Sequence, residues 1–293
     1  MNDEVNVWLE QVFVFLSKEL SLLENELKKR LLSFTENRID LHNIFTYFFE
    51  IRGKRLRPIL VLLSAGLVRE MTATSDRTAT EASDTEIQLA AVVELIHNSS
   101  LIHDDIVDES SHRRGQKTMN HKFNNRIAVL AGDLLFSHGF LIMNKLEQPK
   151  ISAIFTKTVE TMCQSEINEI ISPFTNFEQY IAHLNAKTAS LMSACCKSGA
   201  ILAGADEKSI SLLGEFGTNI GIAYQLMDDY LDDEQPKNFD INILLQTKIY
   251  CEKAKKNLEN FKDCEYKKHL LNLVRYVIIK SELKQEKTQD QIV

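Results

Sequence analysis

Two short runs of aspartates carry the clearest chemistry in this sequence: Asp104-Asp105-Ile106-Val107-Asp108 and Asp228-Asp229-Tyr230-Leu231-Asp232. On a helix, residues four apart lie on one face about one turn from each other, and the adjacent position is rotated by about 100°. Like charges at this spacing destabilise an isolated helix, and apolar residues precede both runs, so a compensating cation is needed. Ligands that are all oxygen favour Mg²⁺ or Mn²⁺, whose coordination is usually completed by water and substrate phosphates.

One aspartate run alone is equally consistent with a solvated helix end. The same i, i+1, i+4 spacing occurs twice, each time behind an apolar helix, and two helices of a bundle can hold a metal cluster between them. The repetition therefore favours metal binding over solvation. The predicted metal ligands are Asp104, Asp105, Asp108, Asp228, Asp229 and Asp232.

Basic residues occur where a bound anion would need them. Gly53-Lys54-Arg55-Leu56-Arg57-Pro58 opens a predicted helix, Arg113 and Arg114 follow the first aspartate run, and Lys187-Thr188 opens another apolar helix. Taken singly, each is more typical of a surface charge. Together with two aspartate runs in a net-acidic chain, they predict one anion bridged by metal and a second bound directly by Lys and Arg.

The composition favours an all-α protein. The chain has 293 residues, is 44% hydrophobic and contains few glycines and prolines, which favours long helices. Its net charge of −7 argues against nucleic-acid binding. The five cysteines form no CxxC pair, which favours a reduced, cytoplasmic setting. No signal peptide and no stretch of roughly 18 apolar residues is recognised, so no transmembrane segment is predicted.

Apolar residues recur at helical spacing in the stretches that must position these side chains. The predicted helices cover residues 5–34, 41–51, 86–103, 128–146, 187–203, 218–231 and 251–280. Residues 72–80 are polar and predict a surface loop, and residues 281–293 predict a flexible tail. Because the segments on both sides of the loop need each other's apolar faces, we predict one domain over residues 1–293.

The motifs and their order resemble those of the trans-isoprenyl diphosphate synthases over residues 53–232. The matching motifs are Gly-Lys-Arg-Leu-Arg-Pro, Leu-Ile-His-Asn-Ser-Ser-Leu-Ile-His-Asp-Asp-Ile-Val-Asp, His-Arg-Arg-Gly, Ala-Gly-Asp-Leu-Leu, Lys-Thr-Ala-Ser-Leu and Tyr-Gln-Leu-Met-Asp-Asp-Tyr-Leu-Asp. The resemblance implies an all-α bundle around a central cavity, assembled as a homodimer. It also implies condensation of isopentenyl diphosphate with an allylic diphosphate, with Mg²⁺ or Mn²⁺ as cofactor.

The resemblance also assigns roles to individual residues. The diphosphate of isopentenyl diphosphate would be bound by Lys54, Arg57, His97 and Arg114. The six aspartates would hold the metals on the allylic diphosphate, which Arg113 and Lys187 would neutralise. Thr188 and Gln225 would lie beside the reacting carbons, so Lys187, Thr188 and Gln225 are the predicted catalytic residues.

Two serines predict a long product. Ser99 and Ser100 lie five and four residues before Asp104 and would form the floor under the growing chain. In enzymes of the resembling family, bulky aromatic residues at these positions end elongation early. Small side chains leave the floor open, although Leu95 and Ile96 could close the tunnel about one turn deeper. We therefore predict an all-trans product of C20 or longer.

The resemblance breaks after the second aspartate run. A glycine-rich loop with a Gly-Lys pair is expected there, but residues 233–242 lead directly into the C-terminal helical region, and Lys237 could replace the loop lysine. Arg52 also replaces the first glycine of a usual Gly-Gly-Lys. These departures leave three hypotheses: an active elongase, a low-activity or regulatory subunit of a heteromeric synthase, and a class I terpene cyclase. A cyclase would not need the basic residues assigned to isopentenyl diphosphate.

Overall fold

Helices dominate the part of the chain that the structure describes, which in this computed structural model is residues 2–72, 81–233 and 241–290. The α-helices are α1 Asn2–Phe15, α2 Ser17–Thr35, α3 Ile39–Phe49, α4 Leu56–Thr72, α5 Asp84–Val107, α6 Met119–Lys122, α7 Asn125–Lys145, α8 Pro149–Ile171, α9 Phe177–Leu184, α10 Ser190–Leu202, α11 Glu207–Asp232, α12 Ile243–Asn257 and α13 Glu265–Asp290. The predicted all-α class is confirmed. Residues 73–80 of the predicted loop lie outside the described residues.

The chain divides into two compact units. Unit 1 comprises Met1–Ser17, Leu60–Ala82 and Ala153–Val293, and unit 2 comprises Lys18–Ile59 and Ser83–Ser152. The prediction of one domain over residues 1–293 stays a prediction. Each unit carries one of the two aspartate runs.

In unit 2, helix α5 packs along α7. Its start is fixed by a capping box, in which the Ser83 side chain accepts from the Glu86 N–H and the Glu86 carboxylate accepts from the Ser83 N–H. Near its other end the Ser99 hydroxyl donates to the Gly132 carbonyl on α7 at 2.8 Å. A Cβ at Gly132 would overlap the His103 ring, so glycine allows the two helices to approach closely. This packing fixes the end of α5 that carries the first aspartate run.

Helix α7 is long and apolar enough to cross a membrane by those two criteria alone. A core helix satisfies the same criteria. The buried side chains of α7 include Ala128, Leu135, Ile142 and Met143. The prediction that the chain has no transmembrane segment stays a prediction.

In unit 1, helix α11 packs against α10 and α12. A Cβ at Gly217 would lie 2.6 Å from the Met192 carbonyl oxygen, so glycine again allows two helices to come close. Helix α13 packs against α1, where the Arg275 guanidinium lies 4.8 Å from the centre of the Trp8 ring. The backbone of α13 continues as helix to Asp290, and a flexible tail over residues 281–293 stays a prediction.

A hairpin, a π-helical turn and the helices α6, α8 and α9 were not predicted. Residues His112–Arg113 (β1) and Gln116–Lys117 (β2) form a small antiparallel hairpin. Its turn residues Arg114 and Gly115 both have positive φ, 52° and 80°, as a tight two-residue hairpin turn requires. In addition, residues Asn185–Ala189 form one π-helical turn between α9 and α10.

Candidate functional site

The first aspartate run forms the C-terminal end of α5. Asp104 and Asp105 lie in its last turn, and Asp108 is the C-cap, whose N–H donates to the Asp104 carbonyl at 2.8 Å. Asp104 is half-buried, Asp105 is buried and Asp108 is exposed. The outer two carboxylates of the run are therefore the ones that solvent reaches.

The middle carboxylate, Asp105, holds the hairpin. Its Oδ1 accepts from Arg113 Nε at 2.8 Å, and its backbone carbonyl accepts from Asn120 Nδ2 at 3.1 Å. Burial raises the pKa of Asp105, and Arg113 acts in the opposite direction by stabilising the charged form. The predicted ligand Asp105 is thus also the anchor of Arg113.

Helix α3 holds the same hairpin from its other strand. The Tyr47 hydroxyl donates to the Lys117 carbonyl at 2.8 Å, and Gln116 Nε2 donates to the Tyr47 carbonyl at 3.1 Å. At the turn, Arg114 occupies the left-handed region, which is unfavourable for a residue other than glycine and recurs at binding sites. A Cβ at Gly53 would lie 3.0 Å from an Arg114 Nη atom, so glycine lets this guanidinium lie close to the chain before α4.

Arg57 and His97 are in direct contact. Arg57 Nη1 lies 2.8 Å from His97 Nε2. Because a guanidinium only donates, His97 accepts at Nε2 and is neutral. Burial, followed by the charges of Arg57 and Arg114, lowers the pKa of His97 well below its ordinary value. The pair therefore adds one positive charge, which is carried by Arg57.

The other basic residues of this segment differ in their surroundings. Arg55 is paired with Glu24 at 2.8 Å and with Glu94 at 2.6 Å, which marks it as a structural cation. Lys54 is exposed. Arg52 is also exposed and lies 3.7 Å from Glu24.

A cavity of about 40 Å³ lies beneath the hairpin, and its lining includes Asn98, Asp105, Arg113 and Arg114. Unit 2 thus brings together Arg57, His97 and Arg114, three of the residues predicted to bind isopentenyl diphosphate, and carries one acidic helix end.

The two serines before the first aspartate run have different surroundings. Ser99 is fully buried against Gly132 of α7. Ser100 is half-buried, and its hydroxyl donates to the His97 carbonyl of its own helix at 2.9 Å. Of the two predicted chain-length residues, only Ser100 has a partly accessible side chain.

The second aspartate run forms the end of α11 and repeats the pattern of the first. Asp228 is half-buried, Asp229 is buried and Asp232 is exposed. Lys280 of α13 lies close to this end, with its Nζ 3.5 Å from Asp228 Oδ1. Lys237 and the other residues from 234 to 240 lie outside the described residues.

The middle carboxylate, Asp229, is held by neutral groups. The Tyr180 hydroxyl donates to one of its oxygens, and Gln225 Nε2 donates to the other at 2.7 Å. The Thr188 hydroxyl in turn donates to Gln225 Oε1 at 2.9 Å. Burial raises the pKa of Asp229, and the bonds from Tyr180 and Gln225 act against that rise. The predicted catalytic pair Thr188 and Gln225 is therefore oriented through Asp229.

Lys187 lies in the π-helical turn and contacts carboxylates of α8. Its Nζ lies 3.0 Å from a Glu166 oxygen and 3.9 Å from a Glu169 oxygen, and His183 Nε2 lies 3.3 Å from Glu169. Glu166, Glu169 and His183 could together hold a metal ion by spacing. The ammonium of Lys187 already compensates this carboxylate pair. Turns of this kind often occur at functional sites.

Several residues around the second aspartate run in unit 1 were not predicted from the sequence. Tyr180 precedes Asp229 by 49 positions, Glu166 precedes Lys187 by 21, and Lys280 lies in a third region of the chain. None of them belongs to a local motif, so their contacts could not be inferred from spacing. The π-helical turn also has no recognised sequence signal.

Comparisons with known proteins identify a family. A family model described as polyprenyl synthetase matches residues 39–239. The chain is 35% identical to the decaprenyl-diphosphate synthase of Dictyostelium discoideum over 66% of this chain and 40% of that protein. It is 31% identical to heptaprenyl diphosphate synthase component 2 of Bacillus subtilis (strain 168), over 79% of this chain and 65% of that one. The matches thus span less than two thirds of the length of these relatives.

A solved structure shares the fold. The decaprenyl diphosphate synthase of Rhodobacter capsulatus superposes with a TM-score of 0.79 at 25% identity, over 93% of this chain and 99% of that one. The all-α isoprenoid synthase fold is therefore confirmed.

Proposed function

This chain belongs to the polyprenyl synthetase family, and from that premise we propose that it is a trans-prenyltransferase. It would condense isopentenyl diphosphate with an allylic diphosphate to give an all-trans prenyl diphosphate of C20 or longer. The observation that carries the proposal is the matched pair of acidic helix ends, on α5 and α11, in a chain that also keeps a separate basic set around Arg57 and Arg114.

The carboxylates fit a divalent cation. They offer only oxygen, they lie one turn apart at each helix end, and the half-buried and exposed members of each run are the accessible ones. Asp104, Asp108, Asp228 and Asp232 would ligate Mg²⁺ or Mn²⁺ directly. Asp105 and Asp229, also predicted as ligands, would chiefly fix the groups around the metal. When bound, such a cation acts as a Lewis acid and makes diphosphate a better leaving group.

The chain's own cations divide between two diphosphates. Lys54, Arg57, His97 and Arg114 would bind isopentenyl diphosphate, and the rigid hairpin turn would present the Arg114 guanidinium in a fixed orientation. Arg113, held by Asp105, and Lys187 would neutralise the allylic diphosphate. Guanidinium and phosphate form strong charge-assisted hydrogen bonds, which supports these assignments.

Thr188 and Gln225 would stabilise positive charge on the allylic carbons. The Thr188 hydroxyl donates to Gln225, and Gln225 donates to Asp229, so these two dipoles are aligned toward one carboxylate before substrate binds. Dipoles that are oriented in advance need not reorganise during the reaction, which is why they are effective in catalysis. Lys187, Thr188 and Gln225 thus remain the proposed catalytic residues.

Product length offers a separate test. Ser99→Phe would disturb the contact between α5 and α7, because Ser99 is fully buried there. Ser100→Phe is the cleaner variant because its side chain is half-buried. We expect Ser100→Phe to shorten the product, measured by chromatography of the dephosphorylated prenols. An unchanged product length would contradict the proposed role of this position.

A regulatory or low-activity subunit is the second candidate. One relative is named component 2 of a heptaprenyl diphosphate synthase, which supports a heteromer as the alternative to a homodimer. A class I terpene cyclase is disfavoured because the basic set around Arg57, His97 and Arg114 has no use in that reaction. The proposed setting is cytoplasmic, in keeping with five cysteines that form no disulfide in the described part of the chain.

One assay separates these functions. Purified protein is incubated with Mg²⁺, labelled isopentenyl diphosphate and farnesyl diphosphate, and the products are separated by chromatography. Label in prenyl diphosphates of C20 or longer supports the elongase. No turnover by the lone chain supports the subunit, and a hydrocarbon formed without consumption of isopentenyl diphosphate supports the cyclase.

A further inference from the structure

Lys280 is the cation of α13 that lies at the acidic end of α11. Its Nζ is 3.5 Å from Asp228 Oδ1, and 27% of its side chain is exposed. The helix around it is well packed, because Tyr276 and Val277 are buried. Its ammonium also lies 5.8 Å from the centre of the Tyr276 ring. The lysine is therefore held in place by a packed helix while its charged end stays accessible.

The two lysines of unit 1 near this site have different partners. Lys187 lies against Glu166, a glutamate outside the aspartate runs. Lys280 lies against Asp228, one of the carboxylates assigned to the metal. A divalent ion on Asp228 would therefore be close to an ammonium, and like charges at such distances repel. A multiply charged anion bound to that ion would attract the same ammonium.

We propose that Lys280 binds the diphosphate of the allylic substrate at the end of α11 and makes metal binding there depend on the diphosphate. The inference rests on the proposed function, which it deepens by adding a residue of the C-terminal helix that binds the diphosphate. Lys280 would disfavour the bare ion at Asp228 and favour the ion together with its anion. A lysine that served only as a structural partner of Asp228 would not have these opposite effects.

The test uses the full chain and inorganic pyrophosphate as probe. Lys280→Gln removes the charge, and Lys280→Arg keeps it. Lys248→Gln is the matched control, because Lys248 of α12 lies 2.8 Å from Glu282 and is not placed at the site. Isothermal titration calorimetry measures the Kd of each protein for MgCl₂ alone and for pyrophosphate at saturating Mg²⁺.

We expect Lys280→Gln to raise the Kd for pyrophosphate about tenfold, equivalent to about 1.4 kcal/mol. Its Kd for Mg²⁺ alone should be lower. Lys280→Arg should recover most of the pyrophosphate affinity, and Lys248→Gln should match the wild type. In turnover, the KM for the allylic diphosphate should rise while the KM for isopentenyl diphosphate stays the same.

Two results would overturn the inference alone: equal pyrophosphate affinity in Lys280→Gln and wild type, or an equal loss of affinity for Mg²⁺ and for pyrophosphate. The second result would indicate a structural role. A wild-type chain that binds no pyrophosphate with Mg²⁺ would contradict the proposed function itself, so the two failures are distinguishable.

Discussion

The acidic ends of α5 and α11 share a spacing and a burial pattern but differ in what surrounds them. At both ends the first aspartate is half-buried, the second buried and the third exposed. In unit 2 the buried carboxylate, Asp105, is paired with a cation, Arg113. In unit 1 the buried carboxylate, Asp229, is held by the neutral side chains of Tyr180 and Gln225. The same motif thus positions a cation in one unit and neutral dipoles in the other.

Removing a solvent-accessible proposed metal ligand at either helix end should have the largest effect on activity. We expect Asp104→Asn and, separately, Asp228→Asn to lower kcat/KM by about 10²–10³-fold, because each would remove charge stabilisation at the diphosphate. Steady-state kinetics with saturating Mg²⁺ measures this. Asp263→Asn, at an exposed carboxylate paired with Lys267, is the control and should keep full activity. Full activity in either ligand variant would contradict the shared role of the two ends.

Replacing the two buried carboxylates should lower the stability of the protein by different amounts. Asp105→Asn would leave the Arg113 guanidinium beside a neutral amide. We expect the free energy of unfolding to fall by about 1–3 kcal/mol, at the lower end of this range because Arg113 is partly exposed. Asp229→Asn should cost less, because its partners are neutral and burial already disfavours its charge. Urea denaturation of both variants at one pH measures the difference. An equal or larger loss in Asp229→Asn would contradict the comparison.

Tyr180, a neutral donor to Asp229, should matter for catalysis. Tyr180→Phe removes one of the two donors to the carboxylate, which would loosen Gln225, and we expect kcat to fall about tenfold, the scale of one lost hydrogen bond to a charged group. Tyr250→Phe is the matched control, since Tyr250 packs against the same apolar cluster as Tyr180. Steady-state kinetics compares the two variants. Equal kcat values in them would indicate that Tyr180 only packs.

His97 of unit 2 and His183 of unit 1 should respond differently to acid. Burial and neighbouring arginines lower the pKa of His97 well below its ordinary value, and burial and Lys187 lower the pKa of His183. Below about pH 6.5 the unfolded chain takes up a proton at each histidine that the native chain does not. Stability therefore falls as the pH falls, until the native pKa is reached.

We expect His97→Asn to abolish about 1 kcal/mol of the stability lost between pH 6.5 and pH 5.5. His183→Asn should abolish less, because Glu166 partly offsets the repulsion between Lys187 and a protonated His183. Urea denaturation at the two pH values gives the loss for each protein. A His97→Asn chain that loses as much stability as the wild type would contradict the neutral state assigned to His97.

Much of the fold was predictable because its signals are local. Helical spacing located most of the long helices but missed α8, and the four-residue spacing of Asp104 and Asp108 predicted them one turn apart on one helix face. Other features were not local. The hairpin strands are two residues long, too short to show a strand period, and Arg114-Gly115 is not one of the dipeptides that typically mark such a turn.

The surroundings of the second acidic end could not be predicted from spacing. The bond from Tyr180 to Asp229 and the approach of Lys280 to Asp228 join distant parts of the chain, and they depend on how helices pack in unit 1. Burial also depends on packing. The sequence alone could not show that Asp105 and Asp229 would be the buried members of their runs.

The most direct test of the central claim is the metal dependence of chain elongation by the wild-type protein. Incorporation of labelled isopentenyl diphosphate onto farnesyl diphosphate is measured against free Mg²⁺, with EDTA as the metal-free condition. We predict labelled prenyl diphosphates of C20 or longer only when metal is present, with activity restored by Mg²⁺ or Mn²⁺ after EDTA. Elongation that persists without metal, or no product longer than the primer at any metal concentration, would contradict the account.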